Sequence, residues 1–490
     1  MAVPVLRGGQ LSVLDDAGMR RIDGAVKRTL AEVGVRMEWQ PALEAMRDAG
    51  CAVDFASRVV KVPEHVLRRA LSTAPSRFTL AGQRPEWDIE VDLERVYTIG
   101  GSSALWVLGL DGARRAATLK DLVDLTRLQE GLENLHVMHA IVVPQDIPQP
   151  GFDRILWAHV VSHTTRNYYS QGLGARSVRE QVEMAAAVGG GTEAFLHRQS
   201  FTMVLCMVSP LLHPGIRLAE LMECVRLGVP IYVEVDAQAG GTTPVTVAGT
   251  VVEECATVLA GVTLAQVLKP GHPCIFAIAS GIMDMGTGNY SGGAPETALI
   301  HAATAQMAHF YGLPFQGGTG IESTQPDAQA GYERALQVLT NALAGTNFIH
   351  LSIGMMEQML LASYEQCLID DEILGAAFRI ARGIDVSDED IAFDVIRELG
   401  PANGMYMAHE HTVRNMRRVG WFPRLTNREK WDGWQAKGGK DMRERAREEA
   451  ARRLAQPAVP TLEPRLAAEL VRMAEAFQRG AIQRGEGVDG

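Results

Sequence analysis

The sequence predicts an α/β protein built on a (β/α)8 barrel, with an N-terminal helical segment and a C-terminal helical extension. Apolar runs rich in β-branched residues alternate with helical patterns, which is typical of parallel strands covered by helices. The apolar runs span residues 95–100, 135–144, 167–172, 200–209, 230–236, 273–281, 313–319 and 347–354. The helical patterns between them include residues 178–187, 214–227, 294–311 and 328–344. Eight such units close a barrel, and an open doubly wound sheet is the alternative.

We predict three parts along the chain: a helical segment at 1–94 packing on the barrel, the barrel at 95–363, and an extension with a tail at 364–490. In the first part, Asp15 and Asp16 suit the start of a helix that runs to Val33, and Gly34 suits its end. Shorter helices are predicted near residues 41–49 and 63–74. A hairpin is predicted at 105–118 around Asp111-Gly112, and residues 95–118 also suit a separate small sheet.

The third part is predicted to be helical and charged. A loop rich in glycine, proline and aromatic residues should follow Leu399 and continue to Trp434, because these residue types favour turns over regular structure. Two surface helices and a tail that is disordered from about Gly485 should complete the chain.

Composition excludes several classes of protein. The net charge is −11 and the pI is about 5.7, which disfavours a nucleic-acid binder because such proteins carry basic patches. None of the six cysteines forms a C-x-x-C pair, so reduced thiols and a cytoplasmic location are expected. No apolar h-region opens the chain, and Glu253 and Glu254 interrupt the run nearest to the roughly 18 residues of a membrane span.

A glycine-rich turn after the fifth apolar run is the first candidate for a binding site. Gln238 precedes Gly240, Gly241, Thr242 and Thr243, and a long helix of small residues is predicted to begin near Pro244. Glycines allow a ligand to approach the backbone closely, and the threonine hydroxyls lie near the free N–H groups of a helix start. In a (β/α)8 barrel the active site lies at the carboxyl ends of the strands, which is where this turn is placed.

Other candidates follow the same rule, and each has a structural alternative. His350 is a candidate acid–base or donor group, or a hydrogen-bonded core histidine. Glu322 is a candidate catalytic carboxylate, or a surface loop residue. Aromatic residues near strand ends could form a cage for a quaternary ammonium, or only pack structurally. We favour Tyr97, Tyr169 and Phe315 among the candidates, which are Tyr97, Trp106, Tyr168, Tyr169, Tyr290, Phe315 and Tyr364. We predict no metal site, because His409 and His411 lack the further ligands that zinc needs.

Ten short blocks of sequence recur in a known protein family. They are LAEVGV (30–35), RVVKVP (58–63), residues 111–121, VSPL (208–211), GGTTPVTVAG (240–249), KPGHP (269–273), GAPE (293–296), DAQAGYE (327–333), His411-Thr412 and REKW (428–431). Through these blocks the sequence resembles the trimethylamine methyltransferase family of corrinoid-dependent enzymes. The blocks keep their order over about nine-tenths of the chain. Members of the family are (β/α)8 barrels, in agreement with the count of apolar runs.

The resemblance implies transfer of a methyl group from an amine nitrogen to Co(I) of a corrinoid, cob(I)alamin, carried by a separate protein. This sequence has no D-x-H-x-x-G cobalt-ligand motif of its own. The trimethylamine enzymes carry pyrrolysine at a position that aligns near residues 322–327, and only standard residues occur here. The resemblance therefore points to the non-pyrrolysine branch, similar to glycine betaine methyltransferases, and to a homo-oligomer.

A quaternary ammonium already carries the charge that makes an amine a leaving group, so positioning and desolvation suffice for its activation. Positive charge leaves the nitrogen during transfer, so an aromatic and amide cage is expected rather than a bare carboxylate. The turn from Gly240 to Thr243 would bind the substrate carboxylate or the corrinoid edge, and His350 would donate to that carboxylate. The alternatives are demethylation of another N-methyl compound, a different methyl acceptor, and a non-catalytic barrel that binds betaine.

Overall fold

The structure is a computed structural model that describes residues 6–401 and 404–486. Its N-terminal segment combines helices with short strands. The helices are α1 (Asp16–Arg28), α2 (Gln40–Asp48) and α3 (Glu64–Thr73), and the strands are β1 (Val35–Met37), β2 (Ala52–Asp54), β3 (Val59–Lys61), β4 (Phe78–Leu80) and β5 (Ile89–Val91). The carboxylate of Asp15 accepts a hydrogen bond from the Gly18 N–H at 2.7 Å, and a π-helical turn (Thr29–Val33) continues α1 to Gly34, as predicted. The five strands were not predicted, because three residues are too few to show an alternating pattern.

The hairpin of β4 and β5 closes the amino end of the barrel. Leu80, Ile89 and Val91 are buried in one apolar cluster with Tyr232 and Phe348, which point into the barrel interior. The barrel is therefore sealed at this end, and ligands can enter only from the other end.

Strands β6 to β21 follow along the chain, and eight of them form the barrel. They are β6 (Tyr97–Thr98), β7 (Trp106–Leu108), β8 (Arg114–Ala116), β9 (Val137–His139), β10 (Asn167–Ser170), β11 (Phe201–Met207), β12 (Leu212–His213), β13 (Ile231–Val235), β14 (Gln238–Ala239), β15 (Cys274–Ile278), β16 (Gly281–Met283), β17 (Tyr290–Ser291), β18 (Phe315–Gly318), β19 (Phe348–His350), β20 (Met355–Met356) and β21 (Leu361–Ser363). The barrel strands run in the order β6, β19, β18, β15, β13, β11, β10 and β9, and all neighbours are parallel.

A bridge between Ile99 and Val137 joins the first barrel strand to the last, so the sheet is closed. The Gly100 N–H donates to the Val137 carbonyl at 3.2 Å across this seam. Each of the eight predicted runs contains one barrel strand. The prediction of a (β/α)8 barrel is confirmed, and the open doubly wound sheet is wrong.

Helices cover the outside of the barrel. They are α4 (Leu119–Glu130), α5 (Phe152–Val161), α6 (Ala175–Gly189), α7 (Thr192–His197), α8 (Gly215–Leu227), α9 (Val247–Leu268), α10 (Pro295–Phe310), α11 (Ala328–Ala344) and α12 (Tyr364–Ala381). The predicted boundary at residue 364 falls before α12, which packs against α11 as the covering helix of the eighth strand. Helix α9 is long and apolar enough to cross a membrane, but 83% of its apolar 18-residue stretch is buried inside the protein. It packs against α1, α3 and α10, and is therefore a core helix.

Short strands extend the structure beyond the carboxyl ends of the barrel strands. The predicted hairpin is present as β7 and β8, which pair antiparallel, and β7 also pairs with β21. A second small sheet contains β14, β16 and β17. These additions build the wall of the barrel mouth.

The remaining helices form the C-terminal extension. They are α13 (Asp388–Ile391), α14 (Phe393–Leu399), α15 (Glu410–Val419), α16 (Trp431–Ala436), α17 (Met442–Leu454) and α18 (Pro464–Arg484). Helices α15 and α16 lie in the stretch predicted as a loop, whereas α17 and α18 match the two predicted surface helices. Glu486 pairs with Arg154 at 3.2 Å, so the start of the predicted disordered tail is ordered, and residues 487–490 lie outside the described residues.

Candidate active site at the carboxyl end of the barrel

A buried glutamate, Glu234, lies at the floor of the barrel mouth. Alternation along β13 turns Glu234 into the barrel interior, with its side chain 5% exposed. Oε2 accepts hydrogen bonds from the Tyr169 hydroxyl at 3.2 Å and from Gln316 Nε2 at 2.5 Å. Oε1 accepts from the thiol of Cys206 at 3.1 Å. Side chains from three other barrel strands, β10, β11 and β18, therefore hold this carboxyl group in one orientation.

A second acid, Asp236, stands above Glu234 two residues further along the chain. Ligand atoms of Cys206, Glu234 and Asp236 all lie within 4.8 Å of one another. Solvent reaches Asp236 from the mouth, but the protein around it and the charge of Glu234 raise its pKa to about 8. Burial also raises the pKa of Glu234. Within residues 6–401 and 404–486, neither carboxyl group has a lysine or arginine nitrogen within 4.0 Å. The pair is therefore a site of uncompensated negative charge.

His350, a predicted catalytic residue, is buried beneath this pair. Its Nδ1 lies 3.3 Å from Gln316 Nε2 and its Nε2 lies 3.3 Å from His139 Nδ1, so both ring nitrogens have protein partners. Nδ1 is 3.9 Å from Glu234 Oε2. Burial lowers the pKa of His350 well below its usual value, so the imidazole is neutral. The structure thus favours the structural alternative, in which His350 orients the floor of the site and does not donate to a ligand.

The three predicted cage residues separate in the structure. Tyr169 lies at the floor of the mouth, with its ring centroid 4.9 Å from that of His350. Tyr97 points the other way, because its hydroxyl donates to the Glu90 carbonyl at 2.8 Å in the hairpin that closes the amino end. Phe315 faces outward and packs against Phe276 between the sheet and the helices. Tyr97 and Phe315 therefore do not reach the mouth.

Tyr290, a strand-end aromatic residue outside the favoured three, lies in the mouth instead. Its hydroxyl donates to the Ala279 carbonyl at 3.0 Å. A Cβ at Gly281 would come within 2.6 Å of the Tyr290 ring, and one at Gly292 within 2.8 Å. The Tyr290 ring fits here because Gly281 and Gly292 have no side chain.

Glu322 comes to the same mouth from the loop after β18. Its Oε1 accepts from the Gly293 N–H at 2.8 Å, and its own N–H donates to Glu333 Oε2 at 2.9 Å. Burial, opposed by the bond from Gly293 and assisted by Glu333, raises its pKa to about 7. Burial and then the charges of Asp236, Glu322 and Glu234 raise the pKa of Tyr290.

The glycine-rich turn uses its polar groups internally. The N–H groups of Gly241, Thr242 and Thr243 all donate to the Gln238 carbonyl, at 2.9, 2.8 and 3.2 Å. The Gly240 N–H donates to the Thr243 carbonyl, and Thr242 Oγ1 accepts from the Gln238 N–H. The turn is thus a rigid wall, and the expected free amides and hydroxyls are occupied. Helix α9 begins at Val247 rather than at Pro244.

Arg217, which the sequence did not single out, is a half-buried cation beside the mouth. It lies in the first turn of α8, where Nη1 donates to the Gly172 carbonyl at 2.9 Å and to Glu220 at 2.7 Å. Among the described residues its Nε and Nη2 have no hydrogen-bond partner, and the side chain is 24% exposed. Burial lowers the pKa of Arg217, but nearby negative charge, chiefly that of Glu220, and the hydrogen bond to Glu220 together outweigh that effect, so the pKa is raised. No strand-end pattern could have identified it, because it lies ten residues after β11.

Cys206, Glu234 and Asp236 are also the one group in the described parts of the chain that could hold a metal ion by distance. Their sulfur and oxygen atoms suit zinc among common cations. The histidines of the H-x-H motif, His409 and His411, lie at the start of α15 in the C-terminal extension. His411 Nε2 is 2.9 Å from the Glu389 carbonyl oxygen. All six cysteines are free thiols.

Comparison with known proteins agrees with this architecture. A family model described as trimethylamine methyltransferase matches residues 2–477. Glycine betaine methyltransferase of Desulfitobacterium hafniense strain Y51 is 32% identical over 473 residues, which cover 96% of this chain and 97% of that protein. Trimethylamine methyltransferase MttB of Methanosarcina thermophila is 31% identical over 444 residues, covering 89% and 91%. The chain belongs to the trimethylamine methyltransferase family, as the sequence blocks indicated.

Solved structures support the fold alone. The monomethylamine methyltransferase MtmB of Methanosarcina barkeri superimposes with a TM-score of 0.53 at 11% identity, covering 89% of this chain and 97% of that one. A hydroxylamine complex of MtmB gives the same TM-score, covering 91% and 95%.

Proposed function

We propose that this protein transfers a methyl group from a quaternary amine of the glycine betaine type to Co(I) of a corrinoid on a separate protein. The observation that carries the proposal is the uncompensated pair of Glu234 and Asp236 in a mouth that also holds Tyr169 and Tyr290. Acidic groups without a basic partner favour a cationic ligand, and aromatic faces add cation–π attraction. Family membership supplies the reaction class.

The substrate loses its positive charge during transfer, so two ionised acids beside it would oppose the reaction. The raised pKa values of Glu234 and Asp236 reduce this opposition. Fully ionised carboxylates would stabilise the ammonium before transfer more than in the transition state. In the empty site the pair retains a proton near neutral pH, because burial and mutual repulsion raise the pKa of Asp236 to about 8. A bound cation must displace that proton, and the free energy needed to ionise the pair weakens the binding of the ammonium before transfer.

Arg217 makes the mouth suitable for a zwitterion. A betaine carries a carboxylate close to its ammonium group, and the free Nε and Nη2 of Arg217 suit two-point binding of a carboxylate. The glycine-rich turn is less suited to this role than predicted, because its N–H groups already donate to Gln238. In this proposal the acids and aromatic residues of the mouth bind the ammonium group, and Arg217 binds the carboxylate.

The corrinoid enters as a second substrate at the open end of the barrel. It supplies the Co(I) nucleophile, which takes the methyl carbon while the electron pair of the C–N bond stays on the nitrogen. The residues of this chain would hold the N–CH3 axis toward the mouth, which is the open end because the hairpin of β4 and β5 closes the other end. We expect this to occur in the cytoplasm, where the six free thiols remain reduced.

The decisive experiment mixes the purified protein, a Co(I) corrinoid protein and one amine, and follows methylation by the corrinoid absorbance. The amines are trimethylamine, glycine betaine, proline betaine, carnitine and choline. We expect methylation with a carboxylated quaternary amine and none with trimethylamine, since residues 322–327 contain only standard amino acids. Absence of methylation with every quaternary amine would contradict the proposal. Calorimetric binding without methylation would instead favour the non-catalytic alternative.

A further inference from the structure

The segment from Ile384 to Phe422, here called the C-terminal arm, exposes an unusual amount of apolar surface. It carries twelve of the twenty-nine large apolar side chains that are exposed in the described residues. They are Ile384, Val386, Ile391, Phe393, Ile396, Met405, Tyr406, Met407, Val413, Met416, Val419 and Phe422. Their exposure ranges from 44% for Tyr406 to 88% for Ile384. Together these twelve side chains expose on the order of 1,000 Å² of apolar surface.

The arm is polar inside and apolar outside. Between residues 382 and 420, the single fully buried residue among those described is Asn415. Arg414 and Arg418 pair with Glu389 and Asp390 around it, at 3.0 and 2.5 Å. On α15 the apolar residues Val413, Met416 and Val419 follow a helical spacing on the other face. The arm therefore has no apolar core of its own.

The arm joins the body at the amino end of the barrel, opposite the mouth. Helix α12 runs back from the mouth and ends at Ala381, whose carbonyl accepts from Gln10 Nε2 at 3.2 Å. Where the arm returns, Trp421 lies close to Gly375, and Arg424 pairs with Glu133, which precedes β9. Both ends of the arm are thus anchored on the side of the barrel that is sealed.

We propose that the C-terminal arm is the interface between two copies of this chain. This choice of partner rests on the proposed function, in which a corrinoid protein approaches the open mouth and cannot cover the arm on the opposite side during methyl transfer. A partner that leaves after each turnover would also expose the apolar side chains repeatedly, whereas a permanent partner keeps them covered. The available surface is comparable to the roughly 800 Å² per partner of a standard interface. A second copy supplies the same apolar face, and a two-fold axis would pair the two faces.

The test measures the mass of the full-length protein by light scattering during size-exclusion chromatography. The wild-type protein should be a dimer or a larger closed oligomer. The triple variant I384E/F393E/M407E should shift to the monomer mass, or weaken the dissociation constant at least tenfold. V459E is the matched control, because Val459 is 85% exposed but lies outside the arm, and it should leave the mass unchanged.

Three results would overturn the proposal. They are a monomeric wild-type protein, a triple variant that keeps the wild-type mass, and a triple variant whose main defect is a raised KM for the corrinoid protein. Far-UV circular dichroism and thermal melting separate dissociation from unfolding. The proposal is independent of the amine, because mass is measured without any substrate.

Discussion

The barrel mouth and the C-terminal arm depart from the usual distribution of polarity in opposite ways. The mouth buries Glu234 without a cationic partner, and the arm exposes Ile384 and Met407 without an apolar partner. Each arrangement costs free energy in the isolated chain, because a buried charge loses its hydration and an exposed apolar group orders water. A bound cation would remove the first cost and a second subunit the second. The contrast therefore separates a site for a small ligand from a site for a protein.

The largest expected effect comes from neutralising the centre of the mouth. E234Q keeps the shape and hydrogen-bonding size of the side chain but removes its charge. We expect kcat/KM for a quaternary amine to fall roughly a hundredfold, or about 2.7 kcal/mol, because a buried charge loses its partner. The thermal midpoint should stay equal or rise, since the empty site no longer holds an unpaired acid. Unchanged kcat/KM would remove Glu234 from the site.

The second test separates the two ends of a zwitterionic substrate. R217Q combined with E220Q removes the cation without leaving Glu220 charged and unpaired. We expect KM for glycine betaine to rise at least tenfold while KM for choline, which lacks a carboxylate, changes little. E220Q alone serves as the control for folding. An equal rise in KM for both amines would indicate that Arg217 stabilises the barrel and does not bind the carboxylate. That result would not contradict the proposed methyl transfer.

A third test uses pH to identify the acid pair. The surrounding protein and the charge of Glu234 raise the pKa of Asp236 to about 8, so it holds a proton below that pH when no cation is bound. A cation prefers the ionised form. Affinity for a quaternary amine should therefore rise as pH increases from 6 to 8 and level off above, with proton release on binding below pH 8. Calorimetry in buffers of different ionisation enthalpy measures that release, and D236N should abolish it. The same pH dependence in D236N would assign it to another group.

Matched tyrosine variants test the two ends of the barrel with one chemical change. Y169F removes the hydroxyl that donates to Glu234, and we expect a severalfold loss of kcat/KM. Y97F removes the hydroxyl that donates to the Glu90 carbonyl. It should leave kcat/KM unchanged but lower the free energy of unfolding by about 1 kcal/mol, as expected for one buried hydrogen bond. A lower kcat/KM in Y97F would indicate that Tyr97 contacts the substrate, as the sequence analysis predicted.

The smallest effect is expected from removing metal ions. Cys206, Glu234 and Asp236 are close enough to hold a cation, but the Cys206 thiol donates to Glu234 and Tyr169 and Gln316 occupy its other oxygen. Chelation with EDTA should therefore leave methyl transfer unchanged, and elemental analysis should find less than one zinc per chain. Loss of activity on chelation, restored by zinc, would make the mouth a metal centre.

Long elements were predictable and short ones were not. The run at 230–236 predicted β13 because four of its seven residues are β-branched or aromatic, namely Ile231, Tyr232, Val233 and Val235. By contrast, β4 and β5 are three residues each, yet they decide which end of the barrel is closed. Helix α15 was predicted as a loop because the surrounding glycine, proline and aromatic residues favour turns, although Val413, Met416 and Val419 have a helical spacing.

The candidate site was only partly predictable. Tyr169 and Glu322 were placed at the mouth by the strand-end rule, and the structure brings both there. Glu234 and Asp236 were missed, although a signal existed: two acids at positions i and i+2 of an apolar strand share one face. Tyr97 and Phe315 were misplaced because the direction of a side chain depends on the register of its strand in the closed barrel. That register is set by neighbours far away in the sequence.

The sequence alone determined the eight β–α units, the acidic charge and the family blocks, because each depends on residues that are neighbours along the chain. The tertiary structure alone decided that Cys206, Glu234, Gln316 and His350 meet in one floor, since they come from four different barrel strands. It also decided that the glycine-rich turn is a wall, because its N–H groups fold back onto Gln238. Local patterns fix which elements form, whereas closure of the barrel fixes which side chains face one another.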